Sequence, residues 1–134
     1  MDKDVLQAKL EMLMRCVERI KSQNIQTLED LENSLDKQDI ILLNLQRAVQ
    51  VCVDIGNHIV VDYGASSVTM ADTFKILFEK NVISKSNADN LAKAVGFRNI
   101  AVHQYEVIDN KIIYSIVKNN LSDFVEFAAS IARL

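Results

Sequence analysis

Residues 36–63 read DKQDIILLNLQRAVQVCVDIGNHIVVDY and run directly into Gly64. At ~100° per residue, Ile40, Ile41, Leu42, Leu43, Leu45, Val49, Val51, Val53, Ile55, Ile59, Val60 and Val61 point in nearly every direction. A helix apolar on most sides is buried on most sides. Gly64 stands where a left-handed C-terminal cap belongs, which predicts a helix of about 28 residues, or roughly 40 Å at 1.5 Å per residue. So long an apolar element in so small a chain points to a partner subunit.

Outward from this helix the pattern stays helical. About Asp4 to Ser22, the residues Val5, Leu6, Leu10, Leu13, Val17 and Ile20 recur every three or four positions, as in an amphipathic helix. Residues 23–37 are polar and only loosely periodic, with Leu28, Leu31 and Leu35 as anchors, and read as a loop containing a short helical turn. Beyond Gly64, Phe74, Leu77 and Phe78 mark a helix over about Thr69 to Lys80, and another begins near Ser84 or Ser86, either of which can cap it. The last helix starts at Asp109 and places Ile112, Ile113, Ile116, Val117, Leu121, Phe124, Val125 and Ile131 on one face. The expected architecture is an all-α bundle of about five helices in one domain spanning 1–134.

Composition agrees. The 134 residues are 49% hydrophobic and 25% charged, with no proline and three glycines, a balance suited to helices and not to disorder. A net charge of -3 gives no broad basic footprint, so any contact with nucleic acid is local. Cys16 and Cys52 lie in helical segments and read as small core thiols in a reducing compartment. The first residues are charged from position two and nothing approaches ~18 uninterrupted apolar residues, so a soluble cytoplasmic protein is expected.

The sequence has no glycine-rich phosphate loop, no cysteine pairs and no helical Glu-x-x-His metal pair, so no metal and no cofactor is expected. Polar groups concentrate instead in GFRNIAVHQYE, residues 96–106. Arg98 can hold a phosphate through two parallel hydrogen bonds, and His103 can move protons near neutral pH. Together they suffice for metal-independent RNA cleavage. A lone histidine among helical residues, however, is more often structural. His103 is also turned about 140° from Arg98 on a straight helix, so either the helix is distorted or a second subunit completes the site. Asn99 lies one turn below His103, and Tyr105 two turns above Arg98.

A second polar stripe, Arg47, Asp54, His58 and Asp62, falls within about 80° on the long helix. It reads as a hydrated groove or dimer rim with pairs such as Asp54 with His58, or as a cleft wall in which Asp54 steadies Arg98.

The segment FRNIAVHQY resembles the Arg-x4-His-x-Tyr signature of HepT-like toxins of the HEPN superfamily. LQRAVQVCVDIGNHIV, TFKILFEKNVIS, LAKAVGFRNIAVHQY and IIYSIVKNNLSDFVEF follow that family in order and spacing, over most of the chain beyond residue 37. The proline that many relatives carry near the start of the third helix is absent here. The resemblance implies a dimeric all-α HEPN bundle in which two Arg/His pairs meet in one cleft between subunits. It implies a toxin ribonuclease of a toxin–antitoxin pair, with Arg98 and His103 catalytic. Asn99 is then expected to support them by orienting His103 or holding the RNA backbone, and Asp54 is the supporting residue on the cleft-wall reading of the polar stripe. The resemblance further implies a minimal nucleotidyltransferase antitoxin as partner, with Tyr105 as AMP acceptor. The alternative is a catalytically silent helical subunit that presents substrate to a nucleotidyltransferase; the intact Arg98/His103 pair favours the enzyme.

Overall fold

A computed structural model describes residues 2–103 and 108–134. Among the described residues the regular structure is entirely helical. Helix α1 (Lys3–Lys21) starts at Asp2, whose carboxylate accepts from the backbone N–H groups of Asp4 and Val5 at 2.7 and 3.1 Å. Its buried face of Leu10, Leu13, Cys16, Val17 and Ile20 packs on α3.

The central helix α3 (Leu35–Asp62) has the 28 residues that its apolar pattern predicts. Gly64 adopts φ 75° and donates to the Val61 carbonyl, while Ala65 donates to that of Val60, which together close a Schellman cap. Helices α1, α4 (Met70–Glu79), α5 (Lys85–His103) and α7 (Leu121–Ala132) pack around α3. This shell covers α3 more fully than its pattern suggested: of its large apolar residues, Leu35, Leu43 and Val61 stay exposed. The apolar length of α3 is therefore satisfied within one chain, and the case for a second subunit rests on other features.

Sequence chemistry sets the remaining boundaries. Thr69 and Asp72 form a capping box at α4, Ser84 accepts from the Asn87 N–H at 3.0 Å to start α5, and Asp109 accepts from the Lys111 N–H at 2.8 Å to start α6 (Asn110–Asn119). The short helical turn expected in the polar region 23–37 is α2 (Leu28–Glu32), built on a capping box of Thr27 and Asp30. One feature differs from expectation. The last helix divides at Asn120, whose backbone at φ -121°, ψ -1° ends α6 and begins α7. The count among described residues is thus seven rather than about five.

The core runs along α3 and continues between α4 and α7, where Phe74 and Phe127 meet edge to face at 6.0 Å. Gly56 makes the α3–α4 contact possible. A Cβ there would lie 2.5 Å from Thr73 Cγ2 and 3.2 Å from Leu77 Cδ1.

Candidate active site

Both candidate catalytic residues lie on α5. The helix is unbroken from Lys85 to His103, so the distortion that could have aimed both side chains at one point is not present in the described residues. The turn of about 140° between them stands. Arg98 is half-buried on the inward side, whereas His103, the last residue of α5, is exposed.

Arg98 leans on the first residue of α4. Its Nη1 lies 3.9 Å from Met70 Sδ and 3.4 Å from Asn99 Oδ1, and its Nε is buried without a hydrogen-bond partner. A thioether is a weak acceptor. Among the described residues no carboxylate pairs with the guanidinium, so its charge remains available for an anion. Asn99 is exposed and turns its oxygen to Arg98; no described contact joins it to His103.

Met70 is a residue that sequence reasoning overlooked. It is fixed from below: Asn57 Oδ1 on α3 accepts from Thr73 Oγ1 at 2.6 Å and from Ser67 Oγ at 3.1 Å, tying α4 and the segment before it to α3. The available signal was Thr69-x-x-Asp72, a capping box that makes Met70 the first helical residue.

Asp54 belongs to a different seam. Its carboxylate accepts from Gln50 Nε2 at 2.9 Å and lies 3.8 Å from Lys9 Nζ on α1. No described contact joins it to Arg98 or to His58, which is exposed. Partly exposed pairs of this kind contribute about 0–1 kcal/mol. Tyr105 lies outside the described residues. Among the described residues no three His, Cys, Asp or Glu side chains gather to hold a metal ion, and no helix is long and apolar enough to cross a membrane.

Arginine is a general anion binder and histidine a general proton carrier, and among the described residues both stand on one helix without an ion-pair partner. Comparison with known proteins narrows the class. The family described as Ribonuclease HepT-like matches residues 13–131. The mRNA nuclease HepT of Shewanella oneidensis is 35% identical over 125 residues, which cover 92% of this chain and 93% of that one. The tRNA nuclease HepT of Aphanizomenon flos-aquae is 26% identical over 121 residues, covering 90% and 82%. Among solved structures, the tri-AMPylated Shewanella oneidensis HEPN toxin in complex with MNT antitoxin superposes with a TM-score of 0.91 at 32% identity, covering both chains fully. The chain belongs to the HepT-like ribonuclease family. It is a HEPN-type ribonuclease of the toxin class.

Proposed function

We propose that the protein is a metal-independent endoribonuclease whose active site forms between two copies of the chain. The observation that carries this reading is the placement of Arg98 and His103 on an unbroken helix, facing directions about 140° apart. One chain cannot easily aim both at one phosphate. Two chains related by a two-fold axis bring Arg98 of one copy toward His103 of the other.

In the composite site His103 takes the proton from a ribose 2′-hydroxyl, and the 2′-oxygen attacks the adjacent phosphorus. Arg98 neutralises the charge that builds on the pentavalent phosphate. The bond from phosphorus to the 5′-oxygen then breaks, the leaving oxygen takes a proton from a histidine, and a 2′,3′-cyclic phosphate remains. Asn99 steadies Arg98 through the contact between its oxygen and Nη1. Asp54, held by Gln50 and Lys9, belongs to the α1–α3 seam and takes no direct part in the reaction. The substrate is RNA and the working compartment is the cytoplasm.

The cognate partner is a minimal nucleotidyltransferase antitoxin that transfers AMP to Tyr105. The position of Tyr105 in the Arg-x4-His-x-Tyr motif and the AMPylated state of the Shewanella oneidensis toxin support this reading. An adenylyl group two residues from His103 sets an anionic phosphodiester where RNA phosphate binds, so steric exclusion and like-charge repulsion act together.

The test is cleavage of a mixed-sequence RNA by the purified chain, with and without EDTA. Arg98→Ala and His103→Ala are each expected to lower the rate by about 10²–10⁴-fold while leaving the circular dichroism unchanged. EDTA is expected to have no effect. Full activity of either variant, or activity lost in EDTA and restored by one particular metal, contradicts the mechanism.

A further inference from the structure

A cavity of about 180 Å³ opens between α5 and the α6–α7 arm. Its walls are apolar, formed by Leu91, Ala94, Phe97 and Ile116, and its other end is polar, formed by Asp123 with Asn90 and Asn120. The volume lies below the roughly 300–1,000 Å³ typical of pockets for drug-sized ligands. It suits a single flat ring system.

Asp123 is 8% exposed, and among the described residues no cation pairs with it. A buried carboxylate needs hydrogen bonds in place of water. Its two oxygens accept one bond each, from Asn90 Nδ2 and Asn120 Nδ2, both at 3.1 Å. Its backbone carbonyl is held by Asn87 Nδ2 at 2.9 Å, so the group is fixed before any ligand arrives. An ionised carboxylate oxygen has two acceptor positions, which leaves one on each oxygen.

We propose that this cavity is a guanine-binding subsite, and that the guanine comes from the RNA substrate; only the second clause rests on the ribonuclease reading. Guanine presents N1–H and the 2-amino group side by side on its Watson–Crick edge, one donor for each open position on Asp123. Adenine and cytosine offer a single amino donor beside a ring nitrogen that would face the second oxygen as acceptor against acceptor. Uracil offers one N–H between two carbonyls. Phe97 supplies a flat wall of the kind on which unstacked bases rest. An arginine side chain from another protein also carries paired donors, but Lys93, exposed and lining the same cavity, repels a cation and attracts a nucleotide phosphate. Phe97 directly precedes Arg98 on α5 and is turned about 100° from it, so a base in the cavity lies around the helix from a phosphate held by Arg98. Cleavage is then expected at a fixed offset from guanine.

The experiment is titration calorimetry of the full chain with GMP, AMP, CMP and UMP, alongside mapping of cut sites on a mixed-sequence RNA. GMP is expected to bind at least ~10-fold tighter than the other three, equivalent to about 1.4 kcal/mol. Asp123→Asn puts a donor where guanine needs an acceptor and should erase that margin. Asp123 also ties α7 to α5, so Ala94→Leu serves as a second variant that fills the cavity and leaves every polar group in place. It too should lose the GMP margin, with thermal unfolding unchanged. GMP bound no better than UMP, AMP bound as well as GMP, or Ala94→Leu binding GMP like the parent overturns the proposal. RNA cut with no guanine bias and no GMP margin sinks the subsite alone, whereas GMP binding without RNA cleavage sinks the ribonuclease mechanism and leaves the subsite standing.

Discussion

Arg98 and His103 look alike in a motif but are held very differently. The arginine is half-sunk against Met70 with a buried, unpartnered Nε, while the histidine stands exposed at the end of α5. The sequence made both legible because polar groups cluster in residues 96–106 after an apolar stretch. It could not show that Arg98 rests on a thioether, because that contact depends on how α4 meets α5. Asp54 illustrates the same limit, since its stripe was readable but its choice of Lys9 over Arg98 or His58 is made by α1 packing. Two predictions belong to this scale. Tyr105→Phe removes the acceptor oxygen and keeps the ring, so the variant should cleave RNA yet gain no AMP when incubated with the partner and ATP. Intact mass decides it, and adenylylation equal to the parent's would place the switch elsewhere. The Cys52 thiol, fully buried, is pushed well above its ordinary value by desolvation and then by the neighbouring Cys16. A folded pKa raised above the unfolded one gives stability that is complete below about pH 8.5 and erodes as pH rises beyond it. Native protein should therefore resist alkylation at pH 7, and chemical unfolding should show lower stability at pH 10 than at pH 7. Rapid labelling of Cys52 in the native state would contradict that burial.

At the scale of elements, the apolar run of α3 and the glycine at 64 announced the central helix and its end, because burial on all sides and a left-handed cap both leave direct marks in sequence. The short helix α2 left a fainter mark. Its capping box, Thr27 with Asp30, is visible, but five residues are too few for apolar periodicity to register. The break at Asn120 was hidden because apolar spacing continues across it from Ile116 to Phe124. Asp30 offers a pH test of α2. Hydrogen bonds from the backbone N–H groups of Gln26 and then Thr27 hold its carboxyl below the usual value. The stability this confers is present above the unfolded pKa near ~3.9 and is lost as pH falls through the folded one. Asp30→Asn should therefore lower stability at pH 7 and make less difference at pH 2–3, read from urea midpoints; an equal loss at both would contradict the assignment. Gly56 gives a packing test. Ala at this position places a methyl 2.5 Å from Thr73 Cγ2, and Thr73 is pinned to Asn57 by its hydroxyl. The two helices must part, at a cost of about 1–3 kcal/mol and several degrees of thermal midpoint. An unchanged midpoint would show that the contact yields freely.

For the whole molecule, the central claim is that one chain holds half of each active site. The length of α3 first suggested a second subunit, yet the chain's own helices cover most of that apolar surface. The stronger arguments lie at the end of α5, where Ile100 and Val102 are 46% and 47% exposed beside His103, and where the helix turns Arg98 and His103 apart. Burying those two apolar side chains against a second copy would bring that copy's Arg98 toward His103, as the proposed composite site requires.

Mixed dimers test this most directly. Arg98→Ala and His103→Ala chains, each inactive alone, are to be unfolded together, refolded at equal concentration and assayed for RNA cleavage. Random pairing makes half the dimers mixed, and each mixed dimer keeps one intact composite site of two, so roughly a quarter of the parental activity should return. If each chain instead carries its own Arg98 and His103 to one phosphate, every site in every pairing lacks a group. Activity of the mixture that stays at the level of the separate variants would contradict the account.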